Sequence, residues 1–524
     1  MSDNDRAKGE PLSDDALIAI LRKEENAAWN WQTAELTGLR QQALNYYDRK
    51  PLGDEVEGQS RVITSEVADT VETVMPALMR VFVSGDDVVE FQPIEQRDEQ
   101  AAKEASQYIP HVLMRQNDGF RIIHDWIKGA LMYRLSGVSV DVEEVTKPRV
   151  DPVEGWTAEQ MAAAKAIAEE QEAGEVEFDV EEDAPGVGTF SGTVTLERKK
   201  KRVVIDGIAE EDILFSPGVR DVDSASYAGY RKQVRASDLR EMGLTQEQID
   251  QLSEDRPVSS EEDQRQDGFQ TQNGERKDDQ RRLWLVLAYV LADEDGDGIS
   301  ERIRVLYAHA GGMSGRIIER TAWDEPEVPM ALATPILMPH VIMGRSLFDQ
   351  TLDIQDVKTA LTRAMLDNTY QVVRPRPIIN DRVTVTSLLD WTPGQPIMSQ
   401  GTGPVGENIS FLQTPSIIPQ AQSALEYFDQ VREARTGVNK QASGADPEAL
   451  NGTAYGAGLL TSAAAQRLEL MARVLAATAM TRLMRLIYRA VKRSAAGPIK
   501  YYAAGDWQDC DPRQWPDDMH LVVS

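Results

Sequence analysis

The chain has 524 residues, of which 41% are hydrophobic and 27% charged, a balance typical of globular proteins with a sizeable core. Its formal net charge of −30 disfavours functions that depend on attraction to nucleic-acid phosphates or to anionic membranes. The single cysteine, Cys510, excludes an internal disulfide, and no apolar run reaches the roughly 18 residues expected of a membrane span.

The N-terminal part of the chain has the apolar spacing of helices. Leu36, Leu39 and Ala43 follow one another at intervals of three and four residues, which places them on one helical face. Ser65 is positioned to cap a later helix. In chain order the predicted elements are helices over Asp15–Asn30 and Gln32–Arg49, a strand over Ser60–Thr64, and helices over Ser65–Phe82, Glu99–Met114 and Gly119–Tyr133.

The middle of the chain changes to a strand pattern. Strands are predicted between Val138 and Phe215, interrupted by a helix over Thr157–Gln171. Residues 254–280 are polar and almost free of apolar side chains, which predicts a mobile loop. Further strands are predicted over Leu283–Leu291, Arg302–His309 and Arg316–Thr321. Helices followed by strands predict the α+β fold class.

An aspartate-rich turn between two of these strands is the one pattern that suggests a metal. Alternating acidic residues with glycine at the sixth place suit a loop wrapped around Ca²⁺. Arg304 occupies the twelfth place, where an EF-hand has glutamate, so two interpretations stay open: a plain β-turn, or a turn that binds structural Ca²⁺. No cofactor is required. The possible calcium ligands are Asp293, Asp295, Asp297 and Glu301.

Signatures of catalysis are weak. The five histidines lie far apart, and the sequence has neither a nucleophile elbow nor a Walker A loop. These features favour a structural protein over an enzyme. A metal-dependent phosphodiesterase or nuclease that uses the Asp293–Glu301 loop is an alternative, and it would need a further acid or base.

The C-terminal part begins with two helices that flank a compact insert. The first helix, over 344–370, carries an apolar stripe (Ile354, Val357, Leu361 and Met365). Its second face carries four acids: Asp349, Asp353, Asp356 and Asp367. The insert, residues 371–417, contains strand patterns over Pro377–Ile379, Arg382–Thr386 and Ile409–Leu412. The returning helix spans 418–436 and has Pro419 in its first turn.

A polar loop over 437–453 then leads to a very long helix over 454–493. The last turns of this helix share a basic face. Two interpretations are open: these cations complement the helix dipole and pair with neighbouring acids, or they form a basic collar that touches DNA or another subunit. The basic residues are Arg482, Arg485, Arg489 and Lys492.

The order of helix, insert, returning helix, loop and long helix resembles the portal proteins of tailed bacteriophages, of the podovirus type. Several short sequences resemble that family as well, although no single one is diagnostic. They are Gly344–Asp349 with Asp353–Gln355, Arg363–Asn368, Glu433–Gly437, Asn451–Ala454, and upstream Ser65–Glu72 with Met75–Met79.

The resemblance implies a portal fold with six parts. A mixed α and β wing would span 1–340, two stem helices 344–370 and 418–436, and a small β-containing clip the insert. A tunnel loop would span 437–453, and a helix that flanks the channel 454–493. A short crown, or the start of one, would span 494–524.

The resemblance also implies a function. Portal subunits form a ring, here of about twelve copies, at one capsid vertex. DNA enters through the ring under the action of the terminase large subunit and leaves through it at infection. Major capsid, scaffolding and head-completion or tail adaptor proteins are the further partners, and no membrane is involved. The protein would be assembled in the bacterial cytoplasm and reside in the virion. A head–tail adaptor or other structural capsid protein is the alternative.

Site residues follow from the resemblance. The tunnel loop would present Asn439, Lys440 and Gln441 to DNA, and the four acids of the first stem helix would partly face the channel. Acidic walls repel phosphates, so DNA could slide without a deep binding site. Candidate contacts for docking proteins in the clip are Arg374, Arg376, Asp381, Arg382 and Trp391.

Overall fold

The computed structural model describes residues 11–83, 89–170, 176–182, 189–250, 252, 281–309, 315–381, 383–389, 394–398, 400, 409–438, 466–503 and 506–523. Within these ranges the protein is a mixed α and β structure, which agrees with the predicted class. The predicted mobile loop at 254–280 lies outside the described residues.

The helices follow the predicted order closely. They are α1 (Asp14–Gln32), α2 (Gly38–Tyr47), α3 (Glu66–Val83), α4 (Glu99–His111), α5 (Gly119–Tyr133), α6 (Ala158–Glu170), α7 (Ala236–Glu241), α8 (Gln246–Asp250), α9 (Leu347–Val373), α10 (Val385–Leu389), α11 (Ile418–Thr436), α12 (466–474) and α13 (Thr481–Ser494). Three π-helical segments, Thr33–Thr37, Val112–Gln116 and Leu475–Met480, continue α1, α4 and α12.

The strands form two larger sheets and three small pairs in the described part of the chain. They are β1 (Val89–Gln92), β2 (Ser136–Thr157), β3 (Val176–Glu182), β4 (Thr189–Ile208), β5 (Ile213–Phe215), β6 (Tyr227–Arg235), β7 (Arg282–Ala292), β8 (Glu301–His309), β9 (Gly315–Ala322), β10 (Met330–Ala333), β11 (Pro377–Ile379), β12 (Ile409–Phe411), β13 (Ile499–Ala503), β14 (Asp506–Cys510) and β15 (His520–Val523).

The five-stranded antiparallel sheet, in the order β5-β6-β7-β8-β9, is buried on both faces along its central strands, whereas β9 is half-buried or exposed. Successive side chains of a strand point to opposite faces, so a doubly buried strand reads as a continuous apolar run. Along β7, Leu287 and Tyr289 belong to one core, whereas Ala288 and Val290 belong to another. Helix α1 covers the second face with Leu21 and its neighbours.

A buried charge fixes α1 to this sheet. The Glu25 carboxylate accepts a hydrogen bond from the Tyr307 hydroxyl at 2.9 Å and pairs with Arg231 at 3.2 Å. The Arg231 guanidinium lies 4.0 Å from the centre of the Trp29 ring. Since a buried ion pair contributes little net stability, its main effect here is to fix the position of α1 on the sheet.

The second sheet, in the order β10-β2-β4-β3, joins the largest core. The first residues of β2 and the last of β4 pack with α3, α4, α5 and α13 in that core. The long antiparallel pairing of β2 with β4 continues beyond the core, from Gly137 opposite Ile208 to Thr157 opposite Thr189.

The C-terminal segment returns to the N-terminal half of the chain. Strand β15 pairs antiparallel with β1, with Val89 opposite Val523. Trp515 is buried and stacks on Tyr488 of α13 at 5.2 Å, and Cys510 belongs to the same core. Residues 494–523 therefore pack on α4 and α13 in this subunit, and their assignment as a crown stays a prediction.

Candidate functional site: the two-helix hairpin and its insert

Side chains cap the N-terminus of helix α9. The Ser346 side chain accepts a hydrogen bond from the Asp349 N–H at 3.2 Å, and the Asp349 carboxylate accepts one from the Ser346 N–H at 2.8 Å. This reciprocal pair is a capping box, and it fixes where the helix starts. The stem helix predicted over 344–370 thus runs from Leu347 to Val373, three residues into the expected insert.

Asp349, the first predicted channel acid, is tied to the interior of the subunit. Arg134 at the end of α5 donates to it at 2.8 Å, and both side chains are mostly buried. Burial alone would raise the pKa of the Asp349 carboxyl, but hydrogen bonds from Arg134 and Ser346 outweigh it and lower the pKa below its ordinary value. Asp349 therefore positions the start of α9.

The other three predicted acids also have partners within the subunit. Asp353 pairs with Arg435 at 2.6 Å, and Asp356 accepts a hydrogen bond from the Tyr46 hydroxyl at 2.6 Å. Burial and the Asp356 carboxylate raise the pKa of Tyr46 to about 12. Asp367 accepts from the Ser60 N–H at 2.7 Å. Asp353 and Asp356 remain exposed, so they are the two acids of this group that can face a channel.

A buried charge network lies at the base of the hairpin that α9 and α11 form, and the sequence did not reveal it. Lys358 of α9 contacts Glu66 of α3 and also Asp429 of α11, the latter at 2.6 Å. Arg432 of α11 pairs with the second oxygen of Glu66 at 2.7 Å. Two cations and two carboxylates, all mostly buried, thus join three helices. We call Lys358, Glu66, Asp429 and Arg432 the stem network.

The buried face of α9 is accordingly more polar than the predicted stripe. Ile354 is buried, but Val357 is exposed, and the nearby polar residues Gln355 and Lys358 are buried instead. The Gln355 amide donates to the Tyr46 carbonyl at 3.1 Å, while its oxygen accepts from the Val67 N–H at 2.9 Å. A helix that binds neighbours through polar groups has a weak apolar pattern, which is why periodicity wrongly placed Val357 on the buried face.

The predicted strand over Ser60–Thr64 is wrong, and the same helix explains why. This segment lies along α9, and its backbone groups bond to helix side chains instead of a neighbouring strand. The Thr64 N–H donates to Thr359 at 3.2 Å, and Arg363 donates to the Val62 carbonyl at 2.9 Å. Arg363 also pairs with Asp54 at 2.7 Å.

The insert is only partly as predicted. Strands β11 and β12 pair antiparallel where two strands were expected, but the strand predicted over Arg382–Thr386 is replaced in part by helix α10. Its β-branched residues favoured a strand, and the local helix overrides that preference. The candidate docking residues Arg374, Arg376 and Asp381 lie at or near the β11 end of the insert, whereas Arg382 and Trp391 lie outside the described residues.

The tunnel-loop candidates Asn439, Lys440 and Gln441 also lie outside the described residues. The returning helix α11 ends at Thr436, as predicted, because Gly437 adopts a left-handed conformation with φ of 77°. The long helix predicted over 454–493 is helical at 466–494, a length of about 43 Å at 1.5 Å per residue.

All four residues of the predicted basic face of the long helix are paired within the subunit. Arg482 donates to Asp223 at 2.8 Å and to the Val328 carbonyl at 2.8 Å. Arg485 and Arg489 hold the two oxygens of Glu327 at 2.7 and 2.9 Å, and Lys492 contacts Asp517. This arrangement favours the first interpretation of the basic face, in which its cations pair with neighbouring acids.

The aspartate-rich turn connects β7 and β8. Carboxylate oxygens of Asp293, Asp295 and Asp297 lie within 4.8 Å of one another. Both oxygens of Asp293 accept backbone N–H groups, from Gly296 at 2.6 Å and Gly298 at 3.1 Å, as in an ordinary turn. Glu301, the fourth expected ligand, lies outside this group and accepts from the Glu294 N–H at 2.9 Å.

Comparison with known proteins decides the family. The family model described as phage SU10 portal protein matches residues 17–524, nearly the whole chain. The chain belongs to the SU10 portal protein family. A search of curated proteins found no match. The portal protein is a structural component of the phage capsid, where subunits form an oligomeric ring. Among the described helices of this portal protein, none is both long and apolar enough to cross a bilayer.

The stem network predicts a large stability cost when one charge is removed. Glu66→Gln leaves Lys358 and Arg432 buried with Asp429 as their remaining carboxylate, so we expect a loss of about 3–5 kcal/mol in the free energy of unfolding. Urea denaturation measures it. The matched control is Asp353→Asn, which breaks the exposed pair with Arg435 and should cost less than about 1 kcal/mol. Equal losses in the two variants would contradict the network's role.

The Asp349 ion pair predicts a specific pH dependence. Its folded pKa lies below the ordinary value of 3.8, so its contribution is complete above about pH 4 and disappears as pH falls through the folded pKa. We expect Asp349→Asn to destabilise the portal by about 3 kcal/mol at pH 7, and the difference from wild type to shrink as the pH falls from about 4 through the folded pKa. Denaturation curves across this range test it, and a pH-independent difference would refute it.

Calcium binding at the aspartate-rich turn stays a prediction, and metal removal tests it. If Asp293, Asp295 and Asp297 bind Ca²⁺, millimolar Ca²⁺ should raise the Tm by several degrees and a chelator should reverse the shift. Asp295→Asn should reduce that shift, since it removes one ligand. An unchanged Tm with and without the chelator would leave the turn without a metal.

Proposed function

We propose that this portal protein forms a ring of about twelve copies at one capsid vertex, around a channel for double-stranded DNA. Through this channel the genome would enter during packaging and leave during ejection. The observation that carries the proposal is the family match over residues 17–524. The hairpin of α9 and α11, held at its base by the stem network, supports it as a rigid wall element.

The charge of the chain suits a channel that must not retain DNA. Asp353 and Asp356 are exposed along α9, and the whole subunit carries −30. Carboxylates repel phosphates, so passing DNA would find no strong binding site. Lys440, with Asn439 and Gln441, would supply a sparse and loose contact from the tunnel loop.

The insert is the proposed docking region for other phage proteins. The terminase large subunit would bind there during packaging and head-completion or tail adaptor proteins afterwards, with Arg374, Arg376 and Asp381 as exposed or half-exposed contacts. Arg382 and Trp391 stay further candidates. Major capsid and scaffolding proteins would surround the ring, which would assemble in the host cytoplasm and stay in the virion.

Two other functions were open from the sequence. The family match favours a portal over a head–tail adaptor. A nuclease at the aspartate-rich turn would need a further acid or base, and the metal-ligating group found there among the described residues consists of Asp293, Asp295 and Asp297 alone. A nuclease assay with Mg²⁺, Mn²⁺ and Ca²⁺ would test that alternative directly.

The ring can be observed directly. We expect negative-stain images of the purified protein to show particles with a central hole, and mass photometry to show a species of about 700 kDa, twelve times the subunit mass of 58.3 kDa. Because the subunits are strongly acidic, assembly should weaken as the ionic strength falls. A protein that stays monomeric under all salt conditions would contradict the proposal.

The channel assignment predicts effects on DNA passage without effects on assembly. Asp353→Asn with Asp356→Asn should increase the friction on DNA, and Lys440→Ala should alter its loose contact, so we expect packaging rates to change several-fold. An in vitro packaging assay with assembled rings measures this. Glu159→Gln, an exposed acid of α6, is the control. Normal packaging by all of these variants would refute the assignment.

A further inference from the structure

The insert between α9 and α11 buries almost no large apolar side chain among its described residues. In its described part, Val383 is the one large apolar residue that is buried. Five large apolar side chains there are at least 50% exposed: Ile378, Val385, Met398, Phe411 and Leu412. Soluble monomers rarely leave so many apolar groups in one short region, and such a surface marks a contact with another protein.

The centre of the insert is a two-stranded ribbon that is apolar on both faces. Strand β11 pairs with β12, and the Leu412 N–H extends the ladder by donating to the Arg376 carbonyl at 2.9 Å. Ile378 lies opposite Ser410 and Pro377 opposite Phe411, so alternation places Ile378 and Leu412 on one face and Phe411 on the other. An isolated two-stranded ribbon is marginal in water, so both faces need a cover.

The insert is also electrically neutral in a very acidic chain. Between residues 371 and 417 three arginines (Arg374, Arg376 and Arg382) balance three acids (Asp381, Asp390 and Glu407), while the whole chain carries −30. Two copies of this chain repel each other over most of their surface. The insert is a region where copies can touch without that repulsion, because its surface is apolar and its net charge is zero.

We propose that the ribbon is covered by two neighbouring copies of this chain, with the Ile378 and Leu412 face of one copy packed against the Phe411 face of the next. The inference rests on the proposed ring. A ring contact joins two different surfaces of adjacent subunits, and the ribbon offers two different apolar faces. A packaging motor or tail protein would bind for only part of the assembly pathway and would leave these apolar faces in water at other stages. Neighbouring subunits of a ring stay in place and would cover the faces throughout.

Site-specific cross-linking tests the arrangement. The one native cysteine, Cys510, is buried, and burial raises the pKa of its thiol to about 12, so it should not react. Ile378→Cys and Phe411→Cys are each introduced into a differently tagged full-length chain, co-expressed, and treated with a short bismaleimide. We expect a covalent dimer that carries both tags, and no dimer from either variant alone. The double variant should give a ladder of covalent oligomers.

Trp507→Cys is the matched control, because Trp507 is 69% exposed and lies outside the insert. It should give no cross-link with either ribbon variant. A dimer from Ile378→Cys alone would mean a two-fold contact and would overturn the proposal. If the wild type forms rings but the ribbon variants give no cross-link, the ribbon contact is overturned and the proposed portal function is not. If the wild type forms no rings, both proposals are overturned.

A second measurement tells whether a neighbouring copy of this chain or a different protein covers the ribbon. Ile378→Asp should raise the concentration needed for half-maximal ring assembly at least about tenfold, because it places a charge in the contact, whereas Trp507→Asp should leave it unchanged. If Ile378→Asp assembles normally but loses binding of a packaging or tail protein, the ribbon is a docking surface for that protein and the proposal is wrong.

Discussion

Four buried charges at the base of the helical hairpin hold together the parts of this portal subunit. Lys358 and Arg432 come from the two helices of the hairpin, and both reach Glu66 at the start of α3. Helix α3 in turn contributes Val71, Val74 and Leu78 to the largest core. The hairpin is thus attached to the body through these charges as well as through apolar contacts, such as Phe348 of α9 packed on Tyr46 of α2. An uncompensated charge here is expensive, so the geometry has few alternatives.

The same principle applies at the long helix. The basic residues of α13 hold Asp223 and Glu327, which precede the hairpin in the chain, and Asp517, which follows it. The chain has 86 acidic and 56 basic residues, so its cations readily form ion pairs with acids of the same chain. The excess acid is left for the surface, where it gives the subunit its negative field.

Much of this fold could be predicted from the sequence, because its helices and central strands bury regular apolar patterns. Helix α5 and the returning helix α11 have the predicted bounds, and β7 is apolar throughout because both of its faces are buried. Predictions were wrong where polar contacts replace apolar ones, as at Ser60–Thr64 and along the buried face of α9. Such contacts depend on residues hundreds of positions apart, and no local pattern encodes them.

The candidate site was predictable in outline only. Helical spacing located the acids of α9. It did not show that Asp349 caps the helix and binds Arg134, or that Lys358 is buried. Pairing with acids was one of two open interpretations of the basic residues of α13. Helical spacing shows which cations share a face, but it does not show which acids pair with them.

The pairing of β1 with β15 has a consequence for synthesis of the protein. Val89 is made early, and its strand partner Val523 is made more than four hundred residues later. Trp515 and Met519, which complete the largest core, emerge from the ribosome at the same late stage. A nascent chain therefore cannot complete that core, and a subunit interrupted during translation would lack it. Folding of the core thus requires that translation has passed Met519 and reached the strand partner of Val89.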